Sequence, residues 1–244
     1  MDCSKALENA IEELYRVFSR YPLPKYTDPC LHCHTLDNEL KLHAQPLRDL
    51  DLDHLRDYAV DALMVWGDET VFRHFLPRIF EILVRSPDAS FELIDPEIMF
   101  SKFRHGHWRS WPEEEQAAVE DFLHALWRDI LGNPPIEESY EDIESWICSI
   151  GQCEDDLSSY LREWIEDKRQ SATLALTSLL LTSAVVLTKK AGRNDFWGGR
   201  DAQYAQLQEW VKSPAVIEKL EHAEAGCADS GLASEFAAAR AMCS

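Results

Sequence analysis

Glycine is scarce in this chain, with nine among 244 residues, and neither Asn-Gly nor Asp-Gly occurs. Without those hairpin turns, and with few β-branched clusters, the pattern argues against a sheet protein. Basic residues are also scarce: 24 Lys and Arg stand against 44 Asp and Glu, a net charge of −20. A polyanion of this size is repelled by nucleic acids and anionic membranes, so direct binding to either is not expected. Long apolar runs are missing too. The one candidate membrane segment, Ser171 to Leu187, is uncharged but interrupted by Thr173, Thr177, Ser178, Thr182 and Ser183. It falls short of the roughly 20 apolar residues of a spanning helix and reads as a buried core helix. The opening residues MDCSKALENA show no basic region followed by an apolar core, so no secretory signal is expected and the chain reads as cytoplasmic. No nucleophile elbow, HExxH, phosphate loop or dinucleotide fingerprint is present, which points away from an enzyme.

What is present is helical periodicity. Apolar content of 45% and charged content of 28% are globular values. Residues 4–20 repeat Leu7, Ile11, Leu14, Val17 and Phe18 on one face. Tyr21-Pro22-Leu23-Pro24 stops that helix. An irregular Cys- and His-containing segment follows to about Arg48, with a short helix near Leu36–Leu42. Asp51 or Asp53 caps a helix running to Trp66, Gly67 ends it, and Asp68 caps the next. Trp66 to Leu83 carries Phe72, Phe75, Leu76, Ile79, Phe80 and Leu83 and reads as the packing centre, with Pro77 kinking the helix or starting a new one. Asp95-Pro96-Glu97 and Ser110-Trp111-Pro112-Glu113 are helix starts, the second running to Gly132. Ser139 with Asp142 opens a helix closed by Gly151. Further helices are expected at about 154–169, 171–190, 200–212 and 214–225, with a final helix or frayed tail after Ser230. The expectation is an all-α, compact domain over 1–244 of roughly ten helices and no sheet, divisible into an aromatic-rich half, 1–110, and an acidic half, 111–244.

The charge is concentrated. From Glu113 to Asp167 there are 17 acids against two bases, Arg128 and Arg162, for a net of −15. Glu113, Glu114, Glu115, Glu137, Glu138, Glu141, Asp142, Glu144, Glu154, Asp155 and Asp156 form its clusters. Acids favour helix N-termini, which accounts for some of this pattern, and the rest reads as an acidic face for a basic protein partner. The most concrete form is an immunity protein that covers the active or nucleic-acid-binding surface of a bacterial toxin such as a nuclease.

Seven cysteines, an odd number, argue for reduced thiols rather than a disulfide framework. Cys30 and Cys33, interleaved with His32 and His34, have the spacing of a structural zinc half-site. Cys148 and Cys153, or His105 and His107, are alternative sources of the remaining ligands. A zinc-stabilised structural or regulatory module is therefore one alternative to the binding protein. A metal-dependent hydrolase, needing His105, His107 and carboxylates to converge, is another. Lys102, Arg104, His105, His107 and Arg109 make a basic island that balances the acids after it. Arg73 and His74 with Asp68, Glu69 and Glu81 offer an acid/base set, although His74 within an apolar helix reads as a hydrogen-bonded core residue. The loop Asn194 to Arg200 carries two glycines and an exposed Trp197, a composition suited to contacts.

Tyr21-Pro22-Leu23-Pro24, Cys30 to Cys33, Pro46-Leu47-Arg48, and Trp66-Gly67-Asp68 through His74-Phe75-Leu76-Pro77-Arg78-Ile79 resemble a bacterial family of small helical proteins. The resemblance covers residues up to about 85 and implies a helical fold without naming an activity.

Overall fold

The computed structural model describes residues 3–85, 95–134, 142–183 and 195–243. Among them the chain forms twelve α-helices and no strand, only two isolated bridges. The helices are α1 (Lys5–Phe18), α2 (Leu36–Leu42), α3 (Leu52–Asp61), α4 (Glu69–Arg85), α5 (Pro96–His105) and α6 (Glu113–Gly132). They continue with α7 (Ile143–Cys153), α8 (Ser158–Glu166), α9 (Gln170–Thr182), α10 (Asp201–Val211), α11 (Pro214–Gly226) and α12 (Ser230–Ala241). The chain packs as two compact units, Met1–Leu126 and Trp127–Ser244, and the boundary falls inside α6. No helix among the described residues is long and apolar enough to cross a membrane. Within Ser171 to Leu187, α9 buries Ala172, Ala175, Leu176, Leu179 and Leu180, and 184–190 lie outside the described residues.

In the first unit α4 is the centre. It packs on α1 and α3, and buries Phe72, Phe75, Leu76, Ile79, Phe80 and Leu83. Phe80 stacks on Phe103 with centroids 4.9 Å apart and meets Phe100 and Phe122 edge-on at 5.4 and 5.5 Å. Phe75 faces Tyr58 at 4.8 Å. Such tilted and edge-on aromatic pairs add to area burial because ring edges are positive and faces negative. Pro77 lies within this one continuous helix rather than starting a second. The side chains of Ser4, Asp51 and Asp95 accept backbone N–H groups of Leu7, His54 and Glu97, which is why α1, α3 and α5 begin where they do.

Helix α3 stops at Asp61, five residues short of the Trp66 end that periodicity suggested. Leu63 turns the chain with a φ of +65°, a left-handed conformation that is strained for a bulky side chain. Trp66 is instead held by pairing with Pro29 and Ala62.

The second unit closes on tryptophans. Trp127 meets Trp164 edge-on at 5.2 Å, and Trp164 lies 5.0 Å from Trp210. The indole N–H of Trp127 donates to the Tyr160 carbonyl and that of Trp164 to the Ala172 carbonyl. Helix α7 runs to Cys153, so Gly151 is a buried interior residue rather than a stop. Ser139, the expected opening of that helix, lies outside the described residues, and Asp142 caps it by accepting from Ser145 N–H at 2.8 Å. The C-terminal segment is helical, capped by Asp229, and α12 packs on α11 and α9.

Candidate functional site

A cleft of about 730 Å³ lies in the first unit, where the segment after α1 meets the segment after α3. Its walls include Pro22, Pro24, Tyr26, Pro29, Met64 and Val65, with Trp66 and Thr27 at the back and Asp28, Asp68 and Cys30 also lining it. Two sets of polar bonds stitch these segments together. Cys30 N–H donates to the Val65 carbonyl at 2.9 Å, and Pro29 forms an antiparallel bridge with Trp66. Trp66 Nε1 donates to Thr27 Oγ1 at 2.7 Å, and the Thr27 N–H and hydroxyl both donate to buried Glu39. Glu39 in turn meets His43 Nε2 at 3.0 Å. Asp28 and Gly67 face each other across the junction with φ of +58° and +70°. Asp28 and Gly67, which line the cleft, and Leu63, next in sequence to its Met64, all have left-handed backbone, and at Leu63 such strain persists only where surrounding bonds over-determine it. Three apolar side chains of its lining are exposed: Tyr26 at 46%, Met64 at 60% and Val65 at 39%.

At the edge of the cleft Cys30 and Cys33 share one turn, closed by Cys33 N–H and His34 N–H donating to the Cys30 carbonyl, each at 2.9 Å. The N–H groups of His32 and Cys33, and the Cys33 thiol, lower the pKa of the Cys30 sulfur. The Cys33 thiol, hydrogen-bonded to its neighbour, is pushed up. His34 lies over Trp66 with centroids 4.3 Å apart, and its Nε2 sits 2.9 Å from Asp61 Oδ2. Cys148 and Cys153 belong to the second unit and are buried in α7. His105 and His107 are both exposed, and His107 Nδ1 lies 3.6 Å from Glu69. No group of three or more His, Cys, Asp or Glu side chains arranged to hold a metal occurs among the described residues.

The acids of the 113–167 run separate into distinct environments. Glu113 is exposed in the first turn of α6. Glu114 is exposed and pairs with Arg16 at 2.9 Å and with Arg20. Glu115 is fully buried, accepts from the Tyr21 hydroxyl at 2.6 Å, and has Arg73 Nε at 3.7 Å. Glu144 is buried against Trp197, whose Nε1 donates to it at 3.3 Å, and burial raises its pKa. Glu154 is buried and accepts from the Tyr160 hydroxyl at 3.0 Å. Asp155 is exposed beside Arg200 at 3.1 Å, while Asp156 accepts the N–H and hydroxyl of Ser158. Glu137, Glu138 and Glu141 lie outside the described residues. The expectation of an acidic face is therefore corrected at Glu115, Glu144 and Glu154. Their carboxylates are structural acceptors inside the units, because each has a hydroxyl or indole donor aimed at it.

The basic island is also dispersed. Lys102 is buried and donates to the Val60 carbonyl at 2.5 Å, with burial lowering its pKa. Arg109 lies 3.9 Å over the Trp108 ring and pairs with Glu120. Of the acid/base set, His74 Nδ1 contacts the Tyr21 carbonyl at 2.7 Å and burial lowers its pKa. Glu81 takes the Tyr15 hydroxyl at 2.5 Å and Arg78 at 2.7 Å. These are packing bonds around α1 and α4. In the loop before α10, Asn194 is outside the described residues and Trp197 is fully buried rather than exposed. Arg200 holds that loop by donating to the Gly151 and Glu154 carbonyls. The cleft itself had no local signal beyond its prolines and Gly67, because it arises from pairing between residues almost forty positions apart.

Compared with family models, curated proteins and solved structures, the chain matches none.

Proposed function

We propose that the protein is a non-catalytic, acidic, all-helical binding protein whose partner presents a basic surface, in its most concrete form an immunity protein that covers a toxin. The observation that carries this reading is the exposed surplus of carboxylate. Glu113, Asp121 and Glu166 are exposed and make no ion pair among the described residues, within a chain carrying net charge −20. Opposite fields accelerate encounter with a basic partner and disfavour others. Buried Glu115, Glu144 and Glu154 are excluded as contacts, and the exposed candidates in the described residues are Glu113, Glu114 and Asp121 on the first unit and, separately, Asp155, Asp156 and Glu166 on the second.

The test is calorimetric titration with a basic protein encoded beside this chain, such as a nuclease, at low and moderate salt. Raising salt from about 0.05 to 0.5 M is expected to weaken binding by about tenfold or more as exposed charges are screened. Replacing Glu113, Asp121 and Glu166 by their amides is expected to lower the affinity and flatten the salt dependence. An affinity indifferent to salt, or no binding to any such neighbour, would overturn the reading.

A further inference from the structure

Cys30 and Cys33 are two thiols placed by one turn, and that turn has the shape a disulfide needs. The i to i+3 hydrogen bond from Cys33 N–H to the Cys30 carbonyl at 2.9 Å holds the two Cα atoms within about 7 Å. Disulfides span about 4.4–6.8 Å between Cα atoms. The two thiols act on one another electrostatically, Cys33 lowering the Cys30 pKa and Cys30 raising that of Cys33. The backbone N–H groups of His32 and Cys33 favour the charged form of the Cys30 sulfur and lower its pKa. Donors around a sulfur stabilise its thiolate, which is the nucleophilic form. Cys33 is exposed and Cys30 partly so, whereas Cys148, Cys153 and Cys243 are buried.

We propose that Cys30 and Cys33 form a redox-active dithiol, which a small hydroperoxide oxidises to an intramolecular disulfide, with Cys30 as the attacking sulfur and Cys33 as the resolving one. In the first step the Cys30 thiolate attacks the terminal oxygen of the hydroperoxide. The O–O bond breaks, the departing alkoxide or hydroxide takes up a proton, and Cys30 becomes a sulfenic acid. In the second step the Cys33 sulfur attacks the Cys30 sulfur. The S–O bond breaks, the hydroxide leaves as water with the Cys33 proton, and the S–S bond forms. Two electrons pass from the thiols to the peroxide, which is reduced to an alcohol or water. The product lies on the wall of the Trp66 cleft, since Cys30 lines the cleft and its N–H is bonded to Val65.

The test uses the full-length protein, reduced, freed of reductant and exposed to a few equivalents of hydrogen peroxide, with peptide mapping by mass spectrometry. The peptide carrying both residues is expected to lose two hydrogen atoms, and dithiothreitol is expected to restore them. Cys33→Ser is expected to gain one oxygen on Cys30 that dimedone traps. Cys30→Ser is expected to react at this peptide about tenfold more slowly or less, because the sulfur with the lowered pKa is gone. Circular dichroism confirms that both variants remain helical, and should either unfold, the wild-type map alone decides. Oxidation spread over the partly exposed Cys3 and Cys227, a Cys30→Ser variant as fast as wild type, or thiols that resist peroxide would each overturn the proposal.

Discussion

At the scale of single residues, the acids show how little a charge in the sequence says about where it sits. Glu113, Glu114 and Glu115 are consecutive, yet the first is exposed, the second pairs with Arg16 and Arg20, and the third is fully buried. Helical rotation of about 100° per residue is enough to do this. Glu144 is the sharper case. Burial raises its pKa first, nearby Asp142 adds to the rise, and hydrogen bonds from Ser183 and Trp197 oppose it. A carboxyl whose folded pKa lies above its unfolded value, near 4.3, contributes stability that is complete below the unfolded value. That contribution is lost as pH rises through the folded value. At neutral pH the wild-type protein therefore carries a cost that an amide would not. Glu144→Gln keeps an oxygen for the Trp197 N–H and is expected to raise stability at pH 7 by on the order of 1 kcal/mol. The gain is expected to vanish by about pH 4, where the wild-type carboxyl is itself becoming neutral. Urea melts at the two pH values measure it, and a variant destabilised at pH 7 but not at about pH 4 would show that the charge of Glu144 is needed in the core.

At the scale of elements, starts were legible and one important stop was not. Ser4, Asp51 and Asp95 each announce a helix because a short polar side chain before an apolar repeat can accept an early backbone N–H, and each does so, while Asp142, expected three residues inside a helix opened by Ser139, is itself a cap. The apolar spacing of α4 likewise dictates its buried face. Ala62 to Trp66 continues the same spacing, yet the chain leaves the helix there. The deciding bonds, Trp66 to Thr27 and Cys30 to Val65, join distant segments and leave no trace in a local pattern. For this reason the cleft was not readable, although the cysteines at its edge were. Gly151 is a second case, since a glycine near a helix end suggests a stop and here serves close packing. A Cβ at Gly151 would lie 2.8 Å from the Trp197 ring. Alanine gains about 1 kcal/mol of helix propensity, but overpacking a filled core costs about 1–3 kcal/mol. Trp197 is fully buried and its N–H is bonded to Glu144, so the ring has little room to yield. Gly151→Ala is accordingly expected to destabilise the protein by about 1–2 kcal/mol in a denaturant melt, and a stabilisation would mean that the ring moves aside.

At the scale of the whole molecule, the competing quantities are attraction within ion pairs and repulsion among the remaining acids. Even if each of the 24 bases were matched by an acid, 20 acids would be left over. Most of the pairs are also exposed at one or both ends, as with Arg16–Glu114, Arg48–Glu12 and Arg240–Glu221. Exposed pairs contribute only about 0–1 kcal/mol each, and salt weakens them. Repulsion among unpaired acids acts over longer distances and is therefore screened first. The Debye length falls from about 30 Å at 0.01 M to about 10 Å at 0.1 M, still longer than an ion-pair contact. Repulsion should dominate the response, so moderate potassium chloride is expected to stabilise the fold. Chloride is the appropriate salt because sulfate strengthens apolar burial by a separate route. Thermal melts between about 0.01 and 0.2 M are expected to show a midpoint rising by a few degrees. A midpoint that falls over that range would mean the ion pairs outweigh the surplus. The carboxylates would then be engaged internally rather than held open for a basic partner, and the binding reading would lose the surplus on which it rests.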